Sequence, residues 1–354
     1  MVVDESAGRS TASQVRRRKR TALIALLSAL TLVILGAVVA IVYIGSLATT
    51  FDTKTQKIPN AFPQESTRPS AAAPTEPGGK TPINILLVGT DSRGATAQDA
   101  EAGTPSNQRS DTMMLVHVPA DRKNVYVVSI MRDLWVPIPG HGSAKINAAL
   151  AFGGVPLMVE TVESILSQRI DHVVFMDFEG FKGLTDAVGG VTVNVKIPFT
   201  ASQTSNYHFD AGPQTMNGDQ ALAYVRERYA FPDGDYQRVR DQQNFIKALV
   251  GKLASAQTLA NPVTVANAVN EISPYLTVDS SFNSTAAASL GFELRNVKAS
   301  DIVAFTLPTS GTGWSTDGQS IVLYNATATA ALADALAKGT MPSYVQENNL
   351  ANGN

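Results

Sequence analysis

Apolar residues along this chain fall into two rhythms, and the alternation between them predicts one α/β domain over 83–338. Ile83 to Gly89 (INILLVG) is an unbroken apolar run that closes on glycine, the pattern of a buried strand. Thr112 to Val118 and Asn124 to Met131 (NVYVVSIM) predict two more strands, joined by a short turn around Asp121 and Arg122. Trp135 to Pro139 is extended and Gly140-His141-Gly142 turns the chain. Lys145 and Asn147 open a helical patch, Val155 to Leu166 is helical, and Asp171 to Asp177 (DHVVFMD) is a strand. A helix over Phe178 to Val188 follows, and Val191 to Ile197 (VTVNVKI) alternates as a half-buried strand does. Phe209 to Asn217 is expected to be loop. Helices are predicted over Gly218–Val225, from about Asp235 to Leu253, and over Asn261–Ile272, Phe282–Leu294 and Ala326–Ala337, with late strands at Asp301–Leu307 and Ser320–Leu323. Strands and helices in turn argue for a single α/β domain.

The first eighty residues follow a different logic. Arg16, Arg17, Arg18, Lys19 and Arg20 form a basic block, and no charged residue occurs from Thr21 to Phe51. An apolar stretch of about 20 residues is long enough to span a bilayer, and basic residues ahead of it favour a cytoplasmic N-terminus. A cleaved signal peptide is the rival, but its apolar core is usually only about 7–15 residues. The expected order is a cytoplasmic tail over 1–20, a transmembrane helix over 21–48, and a Pro-rich extracytoplasmic linker over 49–82. The globular α/β domain over 83–338 follows, then a tail over 339–354. The linker expectation rests on Pro59, Pro63, Pro69, Pro74, Pro77 and Pro82 among small residues.

Composition adds exclusions. The chain of 354 residues has a net charge of -2, so nothing global suggests nucleic acid. It has no cysteine, which removes disulfides, thiolate nucleophiles and Cys-based zinc sites. Gly79-Lys80-Thr81 is not a phosphate loop, because Pro74 stands where its first glycine belongs and no strand precedes it. The four histidines have no metal-ligand spacing and no nucleophile elbow occurs, so His117, His141, His172 and His208 are read as structural.

Candidate chemistry concentrates in Ala223 to Gln243, AYVRERYAFPDGDYQRVRDQQ. It holds Arg226, Arg228, Arg238 and Arg240 with Asp233 and Asp235 between them. Guanidinium groups grip phosphate oxygens as bidentate forks, so their convergence points to a multiply charged anion. Asp235 follows Pro232 and Gly234, where an acid suits a helix start, and Asp235, Arg238 and Gln242 then fall on one helical face. Arg226 and Arg228, two apart, point the same way only on extended chain. The alternative is a solvated charged surface with local Arg–Asp pairs. Asp91 ends the first strand, Asp111 begins the second and Arg132 ends the third. Antiparallel pairing of the first two would bring Asp91 and Asp111 together. Two facing carboxylates need a proton or a cation between them, and beside phosphate-binding arginines that cation is Mg²⁺.

These motifs occur in a familiar order. Gly89-Thr90-Asp91-Ser92-Arg93, Arg109-Ser110-Asp111-Thr112, Ser129-Ile130-Met131-Arg132-Asp133, Lys145-Ile146-Asn147, Leu222 to Arg228 and Asp235 to Gln243 together resemble the LytR–CpsA–Psr family. The resemblance implies an α/β/α sandwich around a central mixed sheet, with one N-terminal transmembrane helix. It implies an enzyme that moves a glycopolymer from a polyprenyl-pyrophosphate carrier onto peptidoglycan at the membrane, usually with Mg²⁺, its lipid tail in an apolar tunnel. By motif, Asp91 and Asp111 match the metal-binding acids. Arg109, Arg132, Arg226, Arg228 and Arg238 match the pyrophosphate-binding arginines, and Asp235 and Gln242 match polar residues beside the head group. Asp91 and Asp235 are the candidate bases, and hydrolysis of the pyrophosphate is a conceivable side reaction. Phe152, Phe175, Phe178, Phe181 and Trp135 belong either to the tunnel wall or to the core. Three departures stand out: a long Gly94–Gln108 loop, Gln237 where the family often has glycine, and little likeness after Ala254. The competing readings are a polyisoprenoid-pyrophosphate carrier without turnover and a transcriptional regulator.

Overall fold

The computed structural model describes residues 38–74, 79–90, 110, 112–202, 206–255, 258 and 260–353. The chain divides into two compact units, Met1–Thr49 and Thr50–Asn354. Residues 38–54 are helical (α1), and Val38, Val39, Ile41, Val42 and Ile44 on that helix are exposed. The basic block and most of the expected span fall outside the described residues.

The second unit is built on a seven-stranded mixed sheet with strand order β1-β12-β7-β2-β3-β4-β13. The strands are β1 (Gln56–Ile58), β2 (Ile83–Thr90), β3 (Thr112–Val118), β4 (Val125–Ile130), β7 (His172–Asp177), β12 (Leu276–Asp279) and β13 (Ile302–Thr306). β2 runs antiparallel to β3 and parallel to β7. Strand periodicity sorts the side chains: Leu86 and Val88 join one core, while Ile85 and Leu87 pack on the other face. The first core is covered by α2 (Ala148–Leu166), α8 (Ala326–Lys338) and α9 (Met341–Glu347). Opposite lie α3 (Phe178–Ala187), α5 (Asp235–Leu253), α6 (Pro262–Ile272) and α7 (Ser284–Glu293). This is the α/β/α arrangement around a mixed sheet. A four-stranded sheet, β14-β15-β5-β6, stands beside it, with β5 (Leu134–Ile138), β6 (Gly142–Lys145), β14 (Thr309–Trp314) and β15 (Ser320–Tyr324).

Several local signals act as the pattern predicts. α2 is interrupted at Gly153 and Gly154, the latter at φ 66°, so regular helix resumes at Val155. One stretch behaves otherwise: Gly212–Met216, expected as loop, is a strand (β11) antiparallel to β8 (Val191–Val195). Pro213 is accommodated because this two-stranded ribbon needs no donor from its outer edge.

Two stretches expected to lie outside the domain are part of it. The Pro-rich segment contributes β1, which extends the sheet by pairing parallel with β12, and Ile58 and Ala61 are each 1% exposed. Arg68 then buries its guanidinium against Glu163 at 2.7 Å, with side-chain exposures of 5% and 2%. It also donates to Ile170 O at 2.5 Å and lies over the Phe62 ring. Proline content signals an open linker only where no anchor is present, and here Ile58, Ala61, Phe62 and Arg68 supply the anchors. The C-terminal segment likewise folds, with Met341, Tyr344, Val345 and Leu350 in the first core.

Removing one partner from a buried ion pair leaves the other charge desolvated, at a cost of about 3–5 kcal/mol. Arg68→Ala is therefore expected to lower the unfolding free energy by about 3 kcal/mol, measured by chemical denaturation of the purified chain. A loss below about 1 kcal/mol would show that the pair contributes no more than a surface bridge.

Candidate functional site

The Arg226–Arg228 segment is shaped by a helix that stops on cue. α4 (Gly218–Arg226) begins with a capping box in which Asn217 accepts from Gln220 N and Gln220 accepts from Asn217 N. It ends at Glu227, whose ψ of 135° puts the chain into extended geometry. Glu227 is 1% exposed, and its carboxylate accepts from the backbone N–H groups of Ser202, Arg228, Tyr229 and Ala230 and from the Ser202 hydroxyl. Burial alone would raise this carboxyl, but the Ser202, Ala230 and Tyr229 hydrogen bonds outweigh burial and hold it below its usual value. Glu227 thus ties down the turn that separates α4 from α5. Its role is invisible in sequence, because its partners are backbone amides.

α5 starts at Asp235, as the acid after Gly234 predicts. Its carboxylate faces three guanidinium groups: Arg238 at 3.1 Å, Arg228 at 3.5 Å and Arg132 at 3.7 Å. Arg228 also contacts the Tyr229 hydroxyl at 2.5 Å. Burial opposes the charge on Arg228, but Tyr229 and Asp235 outweigh it and raise its pKa. Arg226 lies over the Phe178 ring at 4.5 Å, a cation–π contact. Gln242 donates to Val225 O at 3.1 Å and so binds α5 to α4. Lys145 and Asp133 pair with each other at 3.1 Å beside Arg132, and Asn147 is buried at the start of α2.

Arg132, Arg226, Arg228, Arg238 and Gln242 line one cavity with Thr112, Phe178 and Val225, with about 460 Å³ of empty space. Among the described residues, four guanidinium groups line it, offset by Asp235 and, beside Arg132, by Asp133 at 3.7 Å, so the cationic groups remain in excess. Thr112, Phe178, Val225 and Gln242 also line a second, apolar cavity with about 650 Å³ of empty space. Leu87, Val88, Met114, Phe181, Leu222, Phe245, Ile246 and Leu249 form its walls, between the sheet and α3, α4 and α5. The two cavities are adjacent and share Thr112, Phe178, Val225 and Gln242 as lining residues. Such a pair suits an amphiphile with a polyanionic head.

Of the residues expected at the site, Arg132, Arg226, Arg228, Asp235, Arg238 and Gln242 converge. Asp91, Arg109 and Asp111 lie outside the described residues. The antiparallel register on either side of the two acids pairs Gly89 with Thr112. Arg240 turns away and pairs with Asp233 and Gln237. Among the candidate tunnel aromatics, Phe178 and Phe181 line the apolar cavity. Phe175 belongs to the opposite core and Phe152 stacks on His141 at the surface.

The fold and its paired cavities define a class of α/β/α domain in which a cationic cavity adjoins an apolar one, and comparison with known proteins makes the class specific. The model of the LytR_cpsA_psr family matches residues 43–338, and the chain belongs to this family. The chain is 39% identical over 204 residues to the polyisoprenyl-teichoic acid–peptidoglycan teichoic acid transferase TagU of Bacillus mycoides, covering 57% of this chain and 63% of that one. It is 38% identical over 193 residues to the TagU of Enterococcus faecalis, covering 54% and 60%. The chain thus spans about three fifths of the length of these curated relatives. The fold is similar to that of B. subtilis TagV, with a TM-score of 0.62 at 27% identity over 73% of this chain and 97% of that one. It is also similar to TagT bound to LI-WTA, with a TM-score of 0.59 at 26% identity over 78% and 97%.

One buried acid behind the site was not singled out from sequence. Asp241 is 4% exposed, and its Oδ1 accepts from the Tyr224 hydroxyl and from Gln237 Nε2, each at 3.0 Å. Its Oδ2 is buried without a partner. Burial pushes the carboxyl up to about 6, against the opposing Tyr224 and Gln237 hydrogen bonds. A folded-state pKa above the unfolded one means that the native state holds the proton more tightly. The charged form therefore costs stability, and stability falls as pH rises from about 4 to about 6, by on the order of 2–3 kcal/mol. Asp241→Asn is expected to raise the melting temperature at pH 7 and to lose that advantage near pH 4, as followed by calorimetry across that range. An equal shift at both pH values would remove the titration from the explanation.

Proposed function

We propose that this chain is a membrane-anchored transferase that moves a glycopolymer from a polyprenyl-pyrophosphate carrier to a hydroxyl of peptidoglycan. The single observation that carries the proposal is the cationic cavity adjoining the apolar one at the shared Thr112, Phe178, Val225 and Gln242. The names of the relatives, teichoic acid transferases, agree with it. The pyrophosphate lies among Arg132, Arg226, Arg228 and Arg238, with Arg109 as a further donor, and the isoprenoid lies along Leu222, Phe245, Ile246 and Leu249. The anchor is the apolar segment over 21–48, with the domain on the extracytoplasmic side. Exposed Val38, Ile41 and Val42 on the helical residues 38–54 favour that reading.

In the reaction, the acceptor oxygen attacks the phosphorus nearest the glycan. The bond from that phosphorus to the bridging oxygen breaks, and polyprenyl phosphate leaves with the electron pair. The hydroxyl proton passes to a carboxylate. Asp91 and Asp235 are the candidates, and Asp235 already serves as counter-ion to three guanidinium groups. The protein contributes mainly alignment and neutralisation of charge on the bridging oxygen. Asp91 and Asp111 would hold Mg²⁺, which supplies further neutralisation when bound; the Gly89–Thr112 pairing fits two acids at adjoining strand ends.

Two experiments test the proposal. Arg226→Ala, in a purified assay of transfer to peptidoglycan, is expected to lose about 100-fold or more in rate with an unchanged melting temperature. Near-normal turnover would remove Arg226 from the site, and tight lipid binding by wild type without release of polyprenyl phosphate would favour a carrier. Ile246→Trp narrows the apolar cavity, so activity on long-chain donors should fall more than activity on short-chain analogues. Equal loss on both would place the chain elsewhere.

A further inference from the structure

The four-stranded sheet carries an edge that the site described above does not use. β14 has a strand partner, β15, on one side only. Its sequence is TSGTGW, and none of its residues is buried. Trp314 is 75% exposed, more than any other large apolar side chain among the described residues. Tryptophan is also the side chain with most to gain from a partner that covers its ring.

The edge is tied to the arginine cavity at two points. Thr309 Oγ1 shares a hydrogen bond of 3.0 Å with the hydroxyl of Tyr236, the neighbour of Asp235. Val322 N, on β15, donates to Asp133 O at 2.9 Å, and Asp133 contacts Arg132. From Thr309 the strand runs on for about 15 Å to Trp314.

Register sorts the side chains of this edge. Thr312 pairs with Val322 and Trp314 with Ser320, so Thr312, Trp314 and Ser320 share a face. All three are exposed. The indole therefore stands beside two hydroxyls. Charge is nearly absent. From Ile302 to Ala333 the one charged residue is Asp317, and its carboxylate accepts from the Ser315 hydroxyl and Gln319 Nε2 within the turn.

These features narrow the class of ligand. A polyanion finds no cation along the strand. A peptide added as a further strand needs a regular run of free backbone groups. Here the register breaks between Thr309 and Thr312, and Gly311 stands at φ 90°. A bulge of this kind spoils an edge for strand addition. An open aromatic ring with neighbouring hydroxyls and no charge fits a neutral sugar chain. Its C–H groups lie on the indole, and its hydroxyls exchange hydrogen bonds with Thr312 and Ser320.

We infer that this edge seats the glycan of the acceptor, along Thr312, Trp314 and Ser320, beside the cavity that holds the pyrophosphate. The inference rests on the transferase reading above and deepens it by giving the acceptor a surface of its own.

The test exploits the presence of only two tryptophans, Trp135 and Trp314. Full chain labelled with 5-fluorotryptophan, in a sugar-free detergent, gives two ¹⁹F resonances, assigned with Trp314→Phe. A β-1,4-linked tetrasaccharide of N-acetylglucosamine is then titrated in. The Trp314 resonance is expected to move saturably. Tetrasaccharide affinity should fall about tenfold in Trp314→Ala and, as a second variant, in Thr312→Glu. Phe292→Ala removes another exposed aromatic ring and should bind as wild type does. In the transfer assay, Trp314→Ala should raise the KM for the acceptor by a similar factor and leave kcat and the donor KM unchanged. The inference is overturned if the Trp314 resonance stays fixed or if Phe292→Ala loses as much affinity as Trp314→Ala. It is equally overturned if a strand-forming peptide moves the resonance and the tetrasaccharide does not. A wild type that binds the tetrasaccharide through Trp314 but transfers nothing would sink the transferase reading and leave the glycan seat standing.

Discussion

Four guanidinium groups cannot stand within one small cavity unless something offsets their repulsion. The constraint on which the site depends is the position of the Asp235 carboxylate between Arg132, Arg228 and Arg238. That carboxylate opens α5, so the helix start and the counter-ion are the same residue. The three arginines come from the end of β4, the turn after α4 and the first turn of α5. No segment alone makes the site. Among the described residues, Asp235 and Asp133 do not neutralise the four guanidinium groups and Lys145, and the surplus favours an anion.

The surplus is tolerable because the neighbouring groups hold it still. Arg226 is braced on the face of Phe178, and Arg228 on Tyr229. Glu227 draws four backbone amides around its carboxylate and stiffens the turn between the helices. Side chains whose rotamers are fixed beforehand lose less entropy when an anion arrives. This is a general reason for spending a buried glutamate on a loop that carries two arginines.

The sequence made much of this legible, and the physical reasons for the remainder differ case by case. Arg226 and Arg228 had to be on extended chain to point together, and Glu227 does break the helix there. Asp235 behaves as the N-terminal acid that its place after Gly234 implied. Glu227 and Asp241 escaped notice because one bonds to backbone and the other to a tyrosine across a helix pair, and neither relation has a spacing to read. β1 and β12 escaped because strands of three and four residues carry too little periodicity. The Pro-rich segment misled because composition averages over Ile58 and Arg68, which decide its fate. The antiparallel pairing considered for the first two strands is the one that β2 and β3 adopt.

Phe178 serves both compartments with a single side chain: its ring carries the Arg226 guanidinium, and it also walls the apolar cavity. Any replacement there changes both compartments at once. A change in the size of the apolar pocket is thereby channelled away from the junction, toward Ile246 and Leu249 along α5, where volume can drift without disturbing the arginines. Lineages of this chain should accordingly vary at the far end of the pocket while the junction stays fixed.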